Sequence, residues 1–123
     1  MKIIIADDYS TNRLLVTEIL MELGHECFEA ENGQQVLNVL EINKDIDLVL
    51  MDIEMPVMNG VEAMRYIREH LIYPQNSIPI IALTAHSFIA LNEEFSGDGF
   101  NRTLVKPYSI DKIAELLKTF TNS

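Results

Sequence analysis

The stretch Leu48-Val49-Leu50-Met51-Asp52-Ile53-Glu54-Met55-Pro56 decides the fold. It is an unbroken apolar run, then a carboxylate, then a loop closed by proline. A strand with one wet face would alternate apolar and polar residues. A short continuous run instead reads as a central parallel strand covered on both faces. Pro56 and Asn59-Gly60 mark the loop after it. Outward from this strand, Ile3-Ile4-Ile5-Ala6 is a second such run, and Ile78 to Leu83 a third. Pro79 lies near the start of the latter, where a missing N–H is tolerated. Glu26 to Ala30 has mixed polarity and is expected as a strand near an edge. A last strand is expected near Thr103 to Val105.

Amphipathic stretches separate these runs. Thr11 to Leu23 predicts a helix with Leu14, Leu15, Ile19, Leu20 and Leu23 on its apolar face, ended by Gly24. Asn32-Gly33 opens a second, with Val36, Leu37, Val39 and Leu40 inward. A third carries Val61, Met64, Ile67 and Leu71. A further helix is expected over about residues 87 to 95. Ser109 caps a final one, with Ile110, Ile113, Leu116, Leu117 and Phe120 at helical spacing. A β-α unit repeated five times implies an α/β domain, with a parallel sheet and helices on both faces. Ligands of such sheets bind beyond the carboxyl ends of the strands. No internal repeat or linker interrupts the pattern, and 123 residues suit one domain spanning 1–123.

The formal net charge is −10, from nineteen acidic and nine basic residues. Direct nucleic-acid binding needs clustered Lys and Arg, and this balance argues against it. It favours a cation, or a basic patch on a partner protein. Cys27 is the single cysteine, so no internal disulfide or zinc spacing arises; it reads as a small buried apolar residue. The apolar runs are too short to span a membrane. The first residues turn acidic at Asp7-Asp8, which leaves no proper core for a signal peptide. The expected address is the cytoplasm.

The residue ending each run carries the chemistry. The runs end in Asp7-Asp8, in Asp52, in Thr84 and in Lys106, the last just before Pro107. The second strand ends in Ala30 and lies to the side. Each of these residues has a plain structural reading by itself, but together they fall at one sheet edge. Grouped carboxylates repel one another, and at neutral pH they either raise a pKa or bind a cation. Oxygen-only ligands suit a hard ion such as Mg²⁺, which takes one or two carboxylates and adds phosphate oxygens. Lys106 and the Thr84 hydroxyl would neutralise and orient a transferring phosphoryl group. A carboxylate is a competent nucleophile for forming an aspartyl-phosphate.

These motifs resemble the receiver domains of two-component and phosphorelay signalling. The resemblance rests on Ile-Ile-Ala-Asp7-Asp8, Leu-Val-Leu-Met-Asp52-Ile-Glu-Met-Pro56, Asn59-Gly60, Ile-Ala-Leu-Thr84-Ala-His86 and Leu-Val-Lys106-Pro107, in family order over essentially the whole chain. It implies a flavodoxin-like doubly wound (βα)5 three-layer sandwich with strand order 2-1-3-4-5. It implies that Asp52 is the phosphoacceptor. Asp8 and Asp52 would ligate Mg²⁺, with Asp7 helping through a water and Glu54 giving its backbone carbonyl. Thr84 would bond the phosphoryl oxygen, and Lys106 would contact the phosphoryl group or Asp52. The donor would be a histidine kinase or a histidine phosphotransfer protein, and the output a downstream protein partner. The domain would assist its own phosphorylation and dephosphorylation without being an enzyme that turns over a separate substrate.

Members commonly carry Tyr or Phe three residues before the lysine, as a switch coupled to the Thr. Here that position is Thr103, and Phe100, the nearest aromatic upstream, reads as a core residue. Glu54 and His86 stand where the family borders its phosphorylation site. The residues alone leave other classes open: a Mg²⁺-dependent phosphatase, an FMN carrier on the same architecture, or a receiver acting as a constitutive binding surface. The first lacks a cap or substrate-binding insertion. The second would need a Ser/Thr/Gly-rich loop where Asp7-Asp8 stands. The Met-Asp-Ile-Glu-Met-Pro and Leu-Thr-Ala-His stretches look like receivers fused to hybrid kinases, and both a stand-alone receiver and a domain of a longer chain are consistent with the reading.

Overall fold

The computed structural model describes residues 1–84, 99–106 and 109–121. The helix expected over about 87 to 95 lies outside the described residues, as do His86, Gly97 and Pro107. The elements are β1 (Lys2–Ala6), α1 (Ser10–Glu22), β2 (Glu26–Ala30), α2 (Gly33–Ile42), β3 (Leu48–Asp52), α3 (Gly60–His70), a 3₁₀ turn (Gln75–Ser77), β4 (Ile80–Thr84), β5 (Arg102–Val105) and α4 (Ile110–Thr121). The five strands form one parallel sheet in the order β2-β1-β3-β4-β5. This is the expected doubly wound topology, with the order reversing between β1 and β3.

β1, β3 and β4 occupy the centre because their runs are apolar on both faces. Every residue of β3 and β4 is buried. One face of the sheet, with Ile4, Val49, Met51 and Ile80, packs against Val36 and Leu40 of α2 and Met64 and Ile67 of α3. The other face, with Ile3, Ile5, Leu48, Leu50 and Ile81, packs against Val16, Ile19 and Leu20 of α1 and Ile113 and Leu117 of α4. Each fully buried Leu, Ile or Val contributes roughly 1.5–3 kcal/mol relative to exposure, so these two layers hold the sheet edge in place. Leu37, Val39, Val61 and Leu71 pack half-buried on the first layer, and Leu116 and Phe120 on the second. Cys27 is half-buried against the second layer, where burial raises its thiol above the usual range.

The helix ends follow local chemistry. Gly24 has φ +91°, the left-handed geometry that closes a helix, and its N–H donates to Met21 O at 3.0 Å. Asn32 Oδ1 accepts from Gln35 N–H at 2.9 Å, and Ser109 Oγ from Lys112 N–H at 3.2 Å. Asn59 and Glu62 form a reciprocal capping box at the start of α3. Thus Asn59-Gly60, expected only as loop markers, also launch a helix.

The structure corrects the expected face of α1. Leu14 is 57% exposed and Leu15 53%, while Val16, Ile19 and Leu20 are buried. Helical spacing is satisfied by either set. Val16 is buried in place of Leu15 because only Val16, Ile19 and Leu20 share a stripe facing the sheet. Leu23, beyond the helix, is also exposed, and so is Ile110 at the first position of α4.

Candidate functional site

All four of β1, β3, β4 and β5 run parallel, so their carboxyl ends meet at one edge. β1 carries its chain into Asp7, β3 ends in Asp52, β4 ends in Thr84, and Lys106 follows β5. The register sets their depth. Asp52 pairs with Leu83 and Thr84 with Val105, and the Lys106 N–H donates to Thr84 O at 2.6 Å.

Asp7 is fully buried, Asp52 is 5% exposed and Thr84 1%, whereas Asp8 is exposed. One carboxylate oxygen from each of Asp7, Asp8 and Asp52 lies within 4.8 Å of the others. The Lys106 ammonium donates to Asp52 Oδ2 at 2.8 Å and to Asp7 Oδ2 at 3.3 Å. The other Asp52 oxygen accepts from the Glu54 N–H at 2.8 Å, and Asp7 Oδ1 accepts from the Tyr9 N–H at 3.0 Å. Arg13, one turn into α1, donates to the Asp7 carbonyl at 2.7 Å.

Burial pushes the Asp52 carboxyl above its usual range, although the Lys106 hydrogen bond and the Glu54 N–H pull the other way. For Lys106 burial works downward, but the hydrogen bond and charge of Asp52, with the charge of Asp7, outweigh it and hold the ammonium above its ordinary value. The centre is therefore two buried carboxylates and one exposed one against a single lysine. Such a set is short of positive charge and made of oxygen donors only. It fits a hard divalent cation better than a soft one.

Among the described residues, every sequence-predicted side chain of the site lies at this edge. Asp7, Asp8, Asp52 and Lys106 are brought together by the contacts above, and Thr84 is fixed beside them by the β4–β5 register. Glu54 sits on the following loop with its side chain exposed and its N–H on Asp52. Thr103 is half-buried in β5, paired with Ala82, and Phe100 packs half-buried against the core, as expected.

Three residues that shape the site were not read as part of it in the sequence. Gly60 carries no side chain because a Cβ there would strike the Asp52 carbonyl oxygen and lie 2.9 Å from Ile53 Cα. This lets α3 begin directly behind Asp52. Its signal was the Asn59-x-x-Glu62 capping pattern. Arg13 has no signal of its own beyond falling one turn after Asp7-Asp8. Tyr9 lines the cleft above the centre, a space of about 510 Å³ bounded also by Asp8, Asp52, Glu54, Met55, Pro56, Asn59 and Lys106.

Residues 3–118 match the response regulator receiver domain family. Among curated relatives, the sensor protein GacS of Pseudomonas syringae is 34% identical over 98% of this chain, which corresponds to 13% of that protein. The first curated relatives are much longer proteins, of which this chain spans 7% to 15%. Among solved structures, the receiver domain of the sensor histidine kinase PA1611 from Pseudomonas aeruginosa, with a magnesium ion coordinated in its active-site cleft, superposes with TM-score 0.88 at 29% identity over 99% of this chain and 98% of that one. The chemotaxis protein CheY4 of Vibrio cholerae superposes with TM-score 0.86 at 27% identity, covering 97% of both chains.

Proposed function

This chain belongs to the response regulator receiver domain family of two-component signalling, and on that premise we propose that it accepts a phosphoryl group on Asp52. The observation carrying this reading is the placement of Asp52. It is a buried carboxylate at the end of a central strand, 2.8 Å from the Lys106 ammonium and within reach of two further carboxylates.

The donor set fits Mg²⁺ through the Asp8 and Asp52 carboxylates, with Asp7 acting through a water and the Glu54 backbone carbonyl completing the protein's share. When bound, the ion would supply positive charge to the oxygens of the incoming phosphoryl group. The chain's own groups do the rest. The Asp52 oxygen attacks phosphorus as the bond from phosphorus to the donor's ring nitrogen breaks, its electron pair staying on that nitrogen. Lys106 neutralises the charge that builds on the phosphoryl oxygens, from a position already fixed by Asp7. The Thr84 hydroxyl donates to one of those oxygens after transfer. The Glu54 N–H holds the second Asp52 oxygen and so orients the first.

The donor is a phosphohistidine on a histidine kinase or histidine phosphotransfer protein, as suits a family whose curated relatives here include sensor kinases. The reading makes residues 1–123 one receiver domain, cytoplasmic, whose output is a change in protein–protein contact rather than turnover of a substrate. Among the described residues no helix is long and apolar enough to cross a membrane. With Thr103 in place of an aromatic, the signal leaves the site through Thr84 and the backbone that follows it.

Incubation with Mg²⁺ and acetyl phosphate should add one acid-labile phosphoryl group per chain, seen by intact mass. Asp52→Asn should abolish it. Labelling that survives this substitution would sink the assignment.

A further inference from the structure

The cleft above Asp52 opens to solvent, and it is lined by Tyr9, Met55 and Pro56 as well as by Asp8, Asp52 and Lys106. The phosphoryl chemistry assigns no part to the Tyr9 ring. Among the described residues lining the cleft, Tyr9 is the one aromatic.

The Tyr9 backbone is held at both ends. Its N–H donates to Asp7 Oδ1 at 3.0 Å, and its carbonyl accepts from the Arg13 N–H at 3.1 Å. The side chain is nonetheless 66% exposed. An aromatic group is thus anchored to the buried acid that also binds Lys106, while most of its ring surface stays in water beside the opening. Core packing does not account for that placement. A flat, apolar-faced leaving group entering the cleft would cover it.

We propose that Tyr9 is a donor-specificity residue, whose ring packs against the imidazole of the phosphorylated donor while Asp52 attacks. The inference rests on the reading of Asp52 as phosphoacceptor. In the step, an Asp52 oxygen forms a bond to phosphorus as the P–N bond breaks. That bond's electron pair goes to the ring nitrogen, and the proton on the other nitrogen makes the departing group neutral imidazole. The leaving atom must lie opposite Asp52 across phosphorus, in the open cleft that Tyr9 and Pro56 also line. Aromatic pairs prefer offset or edge-to-face contact beyond simple area burial. Acetate, the leaving group of acetyl phosphate, has no ring and gains nothing comparable.

The test compares two small donors with Mg²⁺ present, phosphoimidazole and acetyl phosphate, by the rate at which each labels the full chain. The readout is the ratio of the two rates. Tyr9→Leu should lower the phosphoimidazole-to-acetyl-phosphate ratio about two- to tenfold, the worth of one aromatic pair. Tyr9→Phe should keep the ratio near that of the unmodified chain. Tyr9→Ala provides a second loss-of-ring variant if Tyr9→Leu folds poorly, and is expected to lower the ratio likewise. Equal slowing with both donors would assign Tyr9 a merely structural role and overturn the proposal. So would an unchanged ratio, or a ratio that falls as far in Tyr9→Phe as in Tyr9→Leu. An unmodified chain labelled by neither donor overturns the Asp52 reading and this one with it; a labelled chain with an unchanged ratio overturns this one alone.

Discussion

Two lysine–aspartate constellations sit at opposite ends of the same sheet. At the amino end Lys2 pairs through Nζ with Asp45, and its N–H donates to Asp47 Oδ2 at 2.8 Å. At the carboxyl end Lys106 pairs with Asp52 and Asp7. Both pair one lysine with two aspartates, and the exposed Asp8 stands beside the second as a third. The surroundings differ. The Lys2 and Asp45 side chains are 38% and 62% exposed, whereas those of Asp52 and Asp7 are 7% and 0% exposed and that of Lys106 21%. In water an ion pair gains little, since solvent already stabilises each charge. Out of water each charge depends on its partner. What separates the two constellations is burial, not residue type.

Removing the lysine from each end should separate the two cases most sharply. Lys106→Met leaves Asp7 and Asp52 buried without their cation, and should cost about 2–3 kcal/mol in denaturant unfolding without Mg²⁺, below the full buried-pair value because Lys106 is partly wet. Added Mg²⁺ should return part of that loss by binding the folded chain. A cost below the scatter of the measurement would mean that the acids are screened by solvent after all.

Asp52→Asn probes the same centre from the acid side. It relieves the desolvation and repulsion of one carboxylate and leaves Lys106 to Asp7, so it should stabilise the chain without Mg²⁺ by about 1 kcal/mol at neutral pH. Burial raises the Asp52 carboxyl in the folded chain. The folded state therefore holds that proton more tightly than the unfolded one, and stability is lost as the pH rises through the folded-state titration. The advantage of Asp52→Asn should be greatest at neutral pH and fade as the pH falls toward the ordinary carboxylate value of 3.8. A difference between variant and parent that does not change with pH would contradict this.

The smallest effect is expected at the amino end. Lys2→Met should move the thermal midpoint by only about 1 °C, and salt should erase even that. A larger shift would mean that the comparison rests on more than burial.

The strands were legible because continuous apolar runs have few readings. Leu48 to Met51 and Ile3 to Ala6 need two covered faces, and only a central parallel position offers them. The acidic edge was legible for the same reason: each polar residue ended a run, and parallel strands bring all run ends together. The buried face of α1 was not. Leu14, Leu15, Val16, Ile19 and Leu20 offer two overlapping stripes, and the choice between them depends on how the helix is rolled on the sheet. Gly60 was read as a loop marker, but not for its place behind Asp52. Its bare Cα matters only because α3 passes close to the Asp52 carbonyl, a contact made by the tertiary fold. Tyr9 was hidden because one aromatic after an acidic pair has no periodicity to betray it.

The bond from Lys106 to Asp52 spans 54 positions in the chain, and that to Asp7 spans 99. On a ribosome the acids therefore emerge well before the lysine that offsets them, by roughly 3–20 seconds at ordinary rates of synthesis. Throughout that interval the nascent chain has its acids but neither β5 nor their balancing charge. β5 and Lys106 come late in the chain, ahead only of α4 among the described elements, so the buried acids wait for their counter-charge until synthesis has passed residue 106 and the final strand has docked.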